Sequence, residues 1–313
     1  MCEGNHRLGK RAAGSFLIFA VLTMCWIYFA SEWKLDRRYP APIPSVSAPE
    51  PIVMASRVRE TSRGRHLVTA VAQCQFCHGS DLGGRVIADV PLIGRVDSSN
   101  LTRGRGGIAN RYTRQDWENA IRYGLRPDRT TLVLMPSKHL VHLTSDDLDA
   151  IVDYVLAVPP IDRVPRKRSP GWLSRMLIAF GQVEDVFSAH SGGVEEAQDR
   201  SNAGDAPIAE LGAYLAEIGN CRVCHRADLR GGLHPMALPG EPEPPALVGA
   251  GALQGWTLDD FDAAMRHGTT PQGRVLDRDY MPWPAFAALR DSEIAALWGF
   301  LKSDRARTLG SRQ

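Results

Sequence analysis

The pentapeptide Cys74-Gln-Phe-Cys-His78 recurs as Cys221-Arg-Val-Cys-His225, and each copy sits inside a longer repeated frame. Gly64-Arg-His-Leu leads into the first copy and Gly212-Ala-Tyr-Leu into the second. Asp81-Leu82 and Asp228-Leu229 follow, each seven residues past the first cysteine. Thr113-Arg-Gln-Asp-Trp with Ala120, Arg122 and Gly124 then matches Thr257-Leu-Asp-Asp-Phe with Ala264, Arg266 and Gly268. Met135-Pro136 and Met281-Pro282 lie 57 and 56 residues past their histidines, and Leu148 and Ile294 each stand 13 residues further on. A chain of 313 residues has room for about two domains. The duplication makes them one domain built twice, over 57–160 and 205–305.

Each copy has helical periodicity. Thr113-x-x-Asp116 and Thr257-x-x-Asp260 are helix-start patterns, in which the threonine satisfies orphan amides. Leu148, Ile151, Val152, Val155 and Leu156 fall at i, i+3, i+4, i+7 and i+8, one apolar face of a helix. Ile294, Leu297, Trp298 and Leu301 repeat that face. No run alternates with period two, so the expectation is two small, mostly α domains with little sheet. Long glycine-bearing loops over 79–107 and 231–255 separate the helices, so each core needs a large filler beyond its side chains.

Three chemistries use Cys-x-x-Cys. A dithiol switch of the thioredoxin kind needs a βαβ context that is missing here. Zinc ribbons place their two pairs about 15–20 residues apart, whereas 147 residues separate Cys74 from Cys221. The third is covalent haem: thiols three apart on a helix turn add across two vinyl groups, and the adjacent histidine reaches the iron. The spacing therefore predicts two covalently attached haem c groups, held by Cys74 and Cys77 with His78, and by Cys221 and Cys224 with His225. A thioether closes such a site for electron transfer and raises its potential, which nominates Met135 and Met281 as the sixth iron ligands. The following prolines bias both methionines towards an extended conformation. His139 and His142 are rival ligands to Met135 at the first site, while Met176 and Met265 are expected to fill cores. Gly64 with Tyr154, and Gly212 with Phe300, are expected to pack closely.

The amino terminus carries 17 uncharged residues, Gly14 to Ala30, flanked by three Lys/Arg on each side. This is near the lower limit of about 17–25 for a membrane-spanning helix, and no small-x-small cleavage site follows closely. Residues 1–34 are therefore expected to form an uncleaved transmembrane anchor. Five prolines between Tyr39 and Pro51 make 35–56 an extended spacer. Residues 161–204 form a linker with an amphipathic helix over 171–187, expected to pack between the two domains, and 306–313 form a tail. Residues 57–160 hold 14 basic and 11 acidic side chains, net +3, whereas 205–305 hold 9 and 14, net −5. The whole chain is +2, too little excess for a nucleic-acid binder.

The frame of helix, Cys-x-x-Cys-His, long loops, Met-Pro and terminal helix resembles the class I c-type cytochromes over both repeats. Asn100-Leu-Thr102, Tyr123-Gly-Leu-Arg-Pro127, Leu134-Met-Pro136, Val158-Pro-Pro-Ile161, the 171–180 helix and Gly212-Ala-Tyr-Leu215 resemble the cytochrome c subunits of membrane-bound alcohol and gluconate dehydrogenases. That family usually has three haem domains and a cleaved signal, where this chain has two and an anchor. The resemblance implies electron transfer without bond chemistry, in a periplasmic respiratory chain. It also implies redox partners among dehydrogenase or oxidase subunits, with quinone a further candidate. Haem attachment of this kind takes place outside the bacterial cytoplasmic membrane, which puts the amino terminus in the cytoplasm and both domains in the periplasm. The alternatives are the cytochrome subunit of a cbb-type oxidase and a dihaem peroxidase; the latter needs an exchangeable ligand, against which Met-Pro in both copies argues.

Overall fold

A computed structural model describes residues 3–40, 57–183, 186–190, 208–233, 240–303 and 306, with side chains from Ser15 onward in the first helix and from Ser62 in the second. The proline-rich part of the spacer, much of 184–207 and nearly all of the tail lie outside the described residues.

The apolar run lies in α1 (Glu3–Leu35). Its stretch Ser15–Leu35 is long and apolar enough to cross a membrane. At 1.5 Å per residue those 21 residues span about 32 Å, close to a hydrocarbon core. Phe16, Ile18, Phe19, Leu22 and Phe29 are all exposed on it.

Beyond it the same order of helices occurs twice. The first set is α2 (Arg57–His66), α3 (Cys74–His78), α4 (Arg114–Tyr123), α5 (Ser137–Leu140) and α6 (Ser145–Ala157). A hairpin of β1 (Val86–Val90) and β2 (Gly94–Asp97) occupies its long loop, and β3 (Ser169–Pro170) extends it antiparallel to β2. This three-stranded patch accords with the expectation of little sheet. After α7 (Trp172–Ala179), the second set is α8 (Ile208–Ile218), α9 (Cys221–His225), α10 (Leu258–His267), α11 (Trp283–Phe286) and α12 (Asp291–Lys302).

Local chemistry sets the helix ends. Thr113 and Thr257 each accept from the amide three residues on and receive Asp116 and Asp260 in return, a complete capping box in both copies. Gly124 and Gly268, both at φ 65°, close the same helices in the left-handed region that favours glycine. In each repeat the first helix crosses the last through a glycine. A Cβ on Gly64 would overlap the Ala150 carbonyl and come within 2.8 Å of the Tyr154 Cβ; one on Gly212 would overlap the Ala296 carbonyl and come within 2.7 Å of the Phe300 Cβ. Both expected pairs are present.

Ten residues separate Gly64 from Cys74, but nine separate Gly212 from Cys221. The extra residue is taken up by a π-turn over Leu67–Val71, where the Ala72 amide reaches back to the Leu67 carbonyl at 2.7 Å. Both repeats then enter the cysteine turn through a left-handed residue, Gln73 at φ 52° and Asn220 at φ 59°.

The two repeats meet in a reciprocal contact. His66 Nε2 lies 2.8 Å from Glu293 Oε2. Tyr214, the counterpart of His66, donates to Asp147, the counterpart of Glu293, at 2.6 Å. Equivalent positions thus pair in both directions, as at a two-fold interface. The Asn220 side-chain amide also donates to the Ala72 carbonyl at 3.4 Å, joining the two turns that precede the cysteines.

The linker helix differs from expectation. It ends at Ala179, and Gly181 at φ 72° turns the chain away. Its described contacts are with α1 and the β1–β2 turn, not with a cleft between the repeats. Phe180 meets Trp26 at 5.3 Å between ring centroids, and Arg175 bonds Ser31 at 2.9 Å and Glu32 at 2.8 Å. Ile178 joins Leu35 and Phe187 in a small core. The apolar side of the helix finds its cover at the end of α1, which comes close enough to supply it.

Candidate haem-binding sites

Each Cys-x-x-Cys-His forms one helical turn, α3 or α9, so the two thiols at i and i+3 share a face and the histidine at i+4 lies beside them. None of the described cysteines is in a disulfide. Burial, and then the neighbouring thiol, pushes Cys74 and Cys221 up to about 12. A dithiol switch needs the opposite, a thiol lowered towards neutrality. Among the described residues no three His, Cys, Asp or Glu side chains gather as a metal site.

The two histidines are held in the same way. His78 Nδ1 lies 2.9 Å from the Ser99 carbonyl, and His225 Nδ1 lies 2.8 Å from the Pro245 carbonyl. A carbonyl can only accept, so Nδ1 carries the proton and Nε2 keeps its lone pair for iron. Burial lowers the pKa of both imidazoles, against a smaller upward pull from these carbonyls. That favours the neutral form, the one that binds metal. Behind each histidine the loops match bond for bond. Leu82 and Leu229 are fully buried at φ 58° and 56°. Their carbonyls accept from Leu101 and Leu247 at 2.9 and 2.8 Å. Non-glycine residues held in that region in both copies mark backbone conformations imposed by the surrounding packing.

Met135 and Met281 are partly buried against the main core. Pro136 and Pro282 cap α5 and α11, so each methionine stands two residues before a short helix. Ser137 Oγ ties the first loop to the Ala120 carbonyl at 3.1 Å, and Trp283 Nε1 ties the second to the Leu276 carbonyl at 3.1 Å. His139, a rival ligand, instead faces Glu217 of the second repeat at 3.4 Å. Glu217 also holds Arg222, between Cys221 and Cys224, at 2.6 Å. Asn100 proves to be a loop tie, its amide donating to the Ile161 and Arg163 carbonyls at 2.7 and 3.0 Å.

The distal loops are covered unequally. Residues 186–190 lie along the first: Leu134 donates to the Val186 carbonyl at 2.9 Å and Ser188 to the Leu132 carbonyl at 3.0 Å, with a bridge between Val133 and Phe187. Before Met281, Val275 and Tyr280 are exposed.

One group beside the first site was not singled out by sequence reasoning. Trp117 is buried, yet its Nε1 has no hydrogen-bond partner. Tyr112 leans on it at 5.5 Å between ring centroids. Arg126 donates to the Thr131 carbonyl and, at 3.4 Å, to the Thr130 hydroxyl, and burial lowers its pKa against the opposing charges of Asp128 and Asp36. The orphaned Trp117 donor fits a bound group that carries hydrogen-bond acceptors, as haem does. The signal was faint in the sequence, because a tryptophan in a helix and an arginine in a loop are ordinary.

Residues 59–155 match the family model described as cytochrome c oxidase, cbb3-type, subunit III. The first repeat thus carries a cytochrome c domain, which implies covalently bound haem c. The gluconate 2-dehydrogenase cytochrome c subunit of Pantoea cypripedii is 25% identical over 268 residues, covering 77% of this chain and 58% of its own length. The alcohol dehydrogenase (quinone) cytochrome c subunit of Komagataeibacter europaeus is 27% identical over 262 residues, 75% of this chain and 54% of its own. The fructose dehydrogenase cytochrome subunit of Gluconobacter japonicus is 29% identical over 184 residues, 56% of this chain and 36% of its own. The chain spans little more than half the length of the first two of these relatives.

Proposed function

We propose that this chain is a membrane-anchored, dihaem c-type cytochrome that passes single electrons as the cytochrome subunit of a periplasmic dehydrogenase. Both repeats are read as haem domains, over 57–160 and 205–305. Cys74, Cys77, Cys221 and Cys224 would hold the porphyrins, His78 and His225 the proximal faces of the irons, and Met135 and Met281 the distal faces. The observation that carries this reading is the paired geometry of the histidines: in both repeats Nδ1 is committed to a backbone carbonyl, leaving Nε2 free on the same turn that carries the two cysteines. When bound, haem supplies a reversible one-electron couple at iron. The residues orient the imidazole, keep it neutral and bury the site. The methionine thioethers, being soft ligands, would favour the reduced state and would close the sites to substrate.

Two measurements test this. Purified from membranes, the protein should give two haem c per chain as the pyridine haemochrome; one haem, or a colourless protein, would overturn it. Met135→Ala and Met281→Ala should each remove the weak sulfur-to-iron absorption band of one haem, and an unchanged spectrum would sink that ligand assignment. A second reading, the cytochrome subunit of a cbb-type oxidase, is favoured by the family model over 59–155. Gentle detergent purification distinguishes the two by whether a dehydrogenase or an oxidase core accompanies the chain.

A further inference from the structure

The loops that present the two methionines are built differently. The Met281 loop closes on itself: the Tyr280 and Met281 amides donate to the Asp277 carbonyl at 3.2 and 2.8 Å, and Trp283 Nε1 donates to the Leu276 carbonyl at 3.1 Å. The Met135 loop is tied to its surroundings instead. The Leu134 amide donates to the Val186 carbonyl, Ser137 Oγ donates to the Ala120 carbonyl, and His139 Nδ1 lies 3.4 Å from Glu217 Oε2 of the second repeat. Leu134, directly before Met135, stands at φ 65°, in the left-handed region that its counterpart Tyr280 avoids. A non-glycine residue stays in that region only where its neighbours enforce it.

Glu217 is placed to help enforce it. The first repeat's α5 packs on α8 of the second, and reciprocally α11 packs on the π-turn of the first. The two contacts share a geometry but not a chemistry. Glu217 corresponds to Thr69 counted from Gly64, or to Ala70 counted back from Cys74; His139 corresponds to Ala285, and Arg222 to Gln75. The charged group at the first contact therefore has no equivalent at the second. Glu217 uses both oxygens: Oε1 lies 2.6 Å from Arg222 Nε, and Oε2 faces His139. Arg222 is buried in the turn that carries Cys221 and Cys224, where it also donates to the Ala227 carbonyl. A largely buried carboxylate held at both oxygens is a stiff link, because water competes poorly for it.

We propose that Glu217 is a positioning residue for the first haem: anchored by Arg222 in the second attachment turn, it fixes His139 and with it the loop that presents Met135, so that the second repeat keeps the sixth ligand of the first iron in place. This rests on the dihaem reading and the Met135 assignment above. Glu217 acts through α5, four residues beyond the methionine, and not on the iron itself. Closure of the first iron to outside ligands thus depends on the contact between repeats, whereas closure of the second is supplied by its own loop.

Imidazole titration of the full-length, haem-loaded, oxidised protein, followed by the sulfur-to-iron band, tests this. Imidazole takes the position of a detached methionine, so its apparent affinity reads the fraction of open sites. Glu217→Ala and His139→Ala should each tighten imidazole binding at one haem about tenfold, the scale of one hydrogen bond to a charged group, and leave the other haem unchanged. The two changes together should do no more than either alone, since they break one link. Glu217→Gln, which keeps an acceptor for both partners, should restore most of the unaltered behaviour. In a Met135→Ala background the first iron is already open, and Glu217→Ala should not alter binding at the remaining haem. The proposal is overturned if Glu217→Ala moves neither haem, or if its effect persists in that background, which would place it on Met281. A lowered urea midpoint with unchanged imidazole affinity overturns it too, leaving Glu217 a structural contact alone. A haem count of one in the unaltered protein, or a sulfur-to-iron band untouched by Met135→Ala, would instead mark failure of the dihaem reading.

Discussion

At the scale of single residues, the tightest constraint is the pair of helix crossings at Gly64 and Gly212. Each backbone there touches the partner helix directly, so alanine has no space at either position. Gly64→Ala and Gly212→Ala should each cost about 1–3 kcal/mol through overpacking, measured as a lowered urea midpoint, and a neutral result at both would contradict the crossing geometry. Tyr214 is a second such residue. Its hydroxyl reaches across the repeats to Asp147, a fully buried carboxylate that Arg63 also contacts. Tyr214→Phe keeps the ring and leaves that carboxylate short of a donor, a loss of roughly 1.5–3 kcal/mol for a hydrogen bond to a charged group. The histidines make the same point about chemistry: burial and one carbonyl settle which nitrogen each presents.

At the scale of elements, the helices are capped and faced as their sequences prescribe, and the novelty lies in what joins them. Thr113→Ala and Thr257→Ala each remove one side of a capping box and should cost about 1 kcal/mol, read from thermal melts. The joining elements carry a pH dependence. Burial pushes Glu293 up, but the His66 hydrogen bond, the Arg290 amide and their charges hold it below its ordinary value. Burial also pushes Glu217 up, and it too is held down, by the His139 hydrogen bond and the Arg222 charge. A carboxylate depressed on folding contributes stability above its unfolded pKa, about 4.3 for glutamate, and that stability is lost as pH falls through the folded value. The contact between repeats should therefore weaken below about pH 4. Urea midpoints recorded from pH 6 down to pH 3 should fall less steeply in a Glu217→Gln, Glu293→Gln double variant; equal slopes would remove these pairs from the account.

At the scale of the whole molecule, α1, α7 and the first repeat form one connected body through Arg175, Arg168 and the small core at Leu35, Ile178 and Phe187. Exposed Trp26, Phe29 and Trp33 lie near the carboxyl end of the apolar stretch, beside exposed Phe180 and Leu173. Amphipathic aromatics at that level suit a membrane–water boundary. A variant lacking residues 1–40 should move from the membrane to the soluble fraction with its visible spectrum unchanged. Retention on the membrane would show that α7 or a partner subunit is sufficient to hold it. The second repeat touches this body through the first, so removal of the anchor should leave the His66–Glu293 and Tyr214–Asp147 contacts in place.

The amino-acid sequence by itself determined the duplication, the ligand candidates Cys74, Cys77, His78, Met135 and their partners Cys221, Cys224, His225, Met281, and the faces and starts of the main helices. These depend on separations of three, four and a few residues, which one turn of helix converts directly into neighbours. The Gly64–Cys74 count also held the trace of the π-turn, one residue longer than its counterpart. What only the tertiary structure decided pairs distant positions: Tyr214 with Asp147 across 67 residues, His66 with Glu293 across 227, α7 with α1 rather than between the repeats, and the segment 186–190 with the loop before Met135. Nothing local encodes such pairings, because they depend on how rigid helices are oriented once their apolar faces are buried.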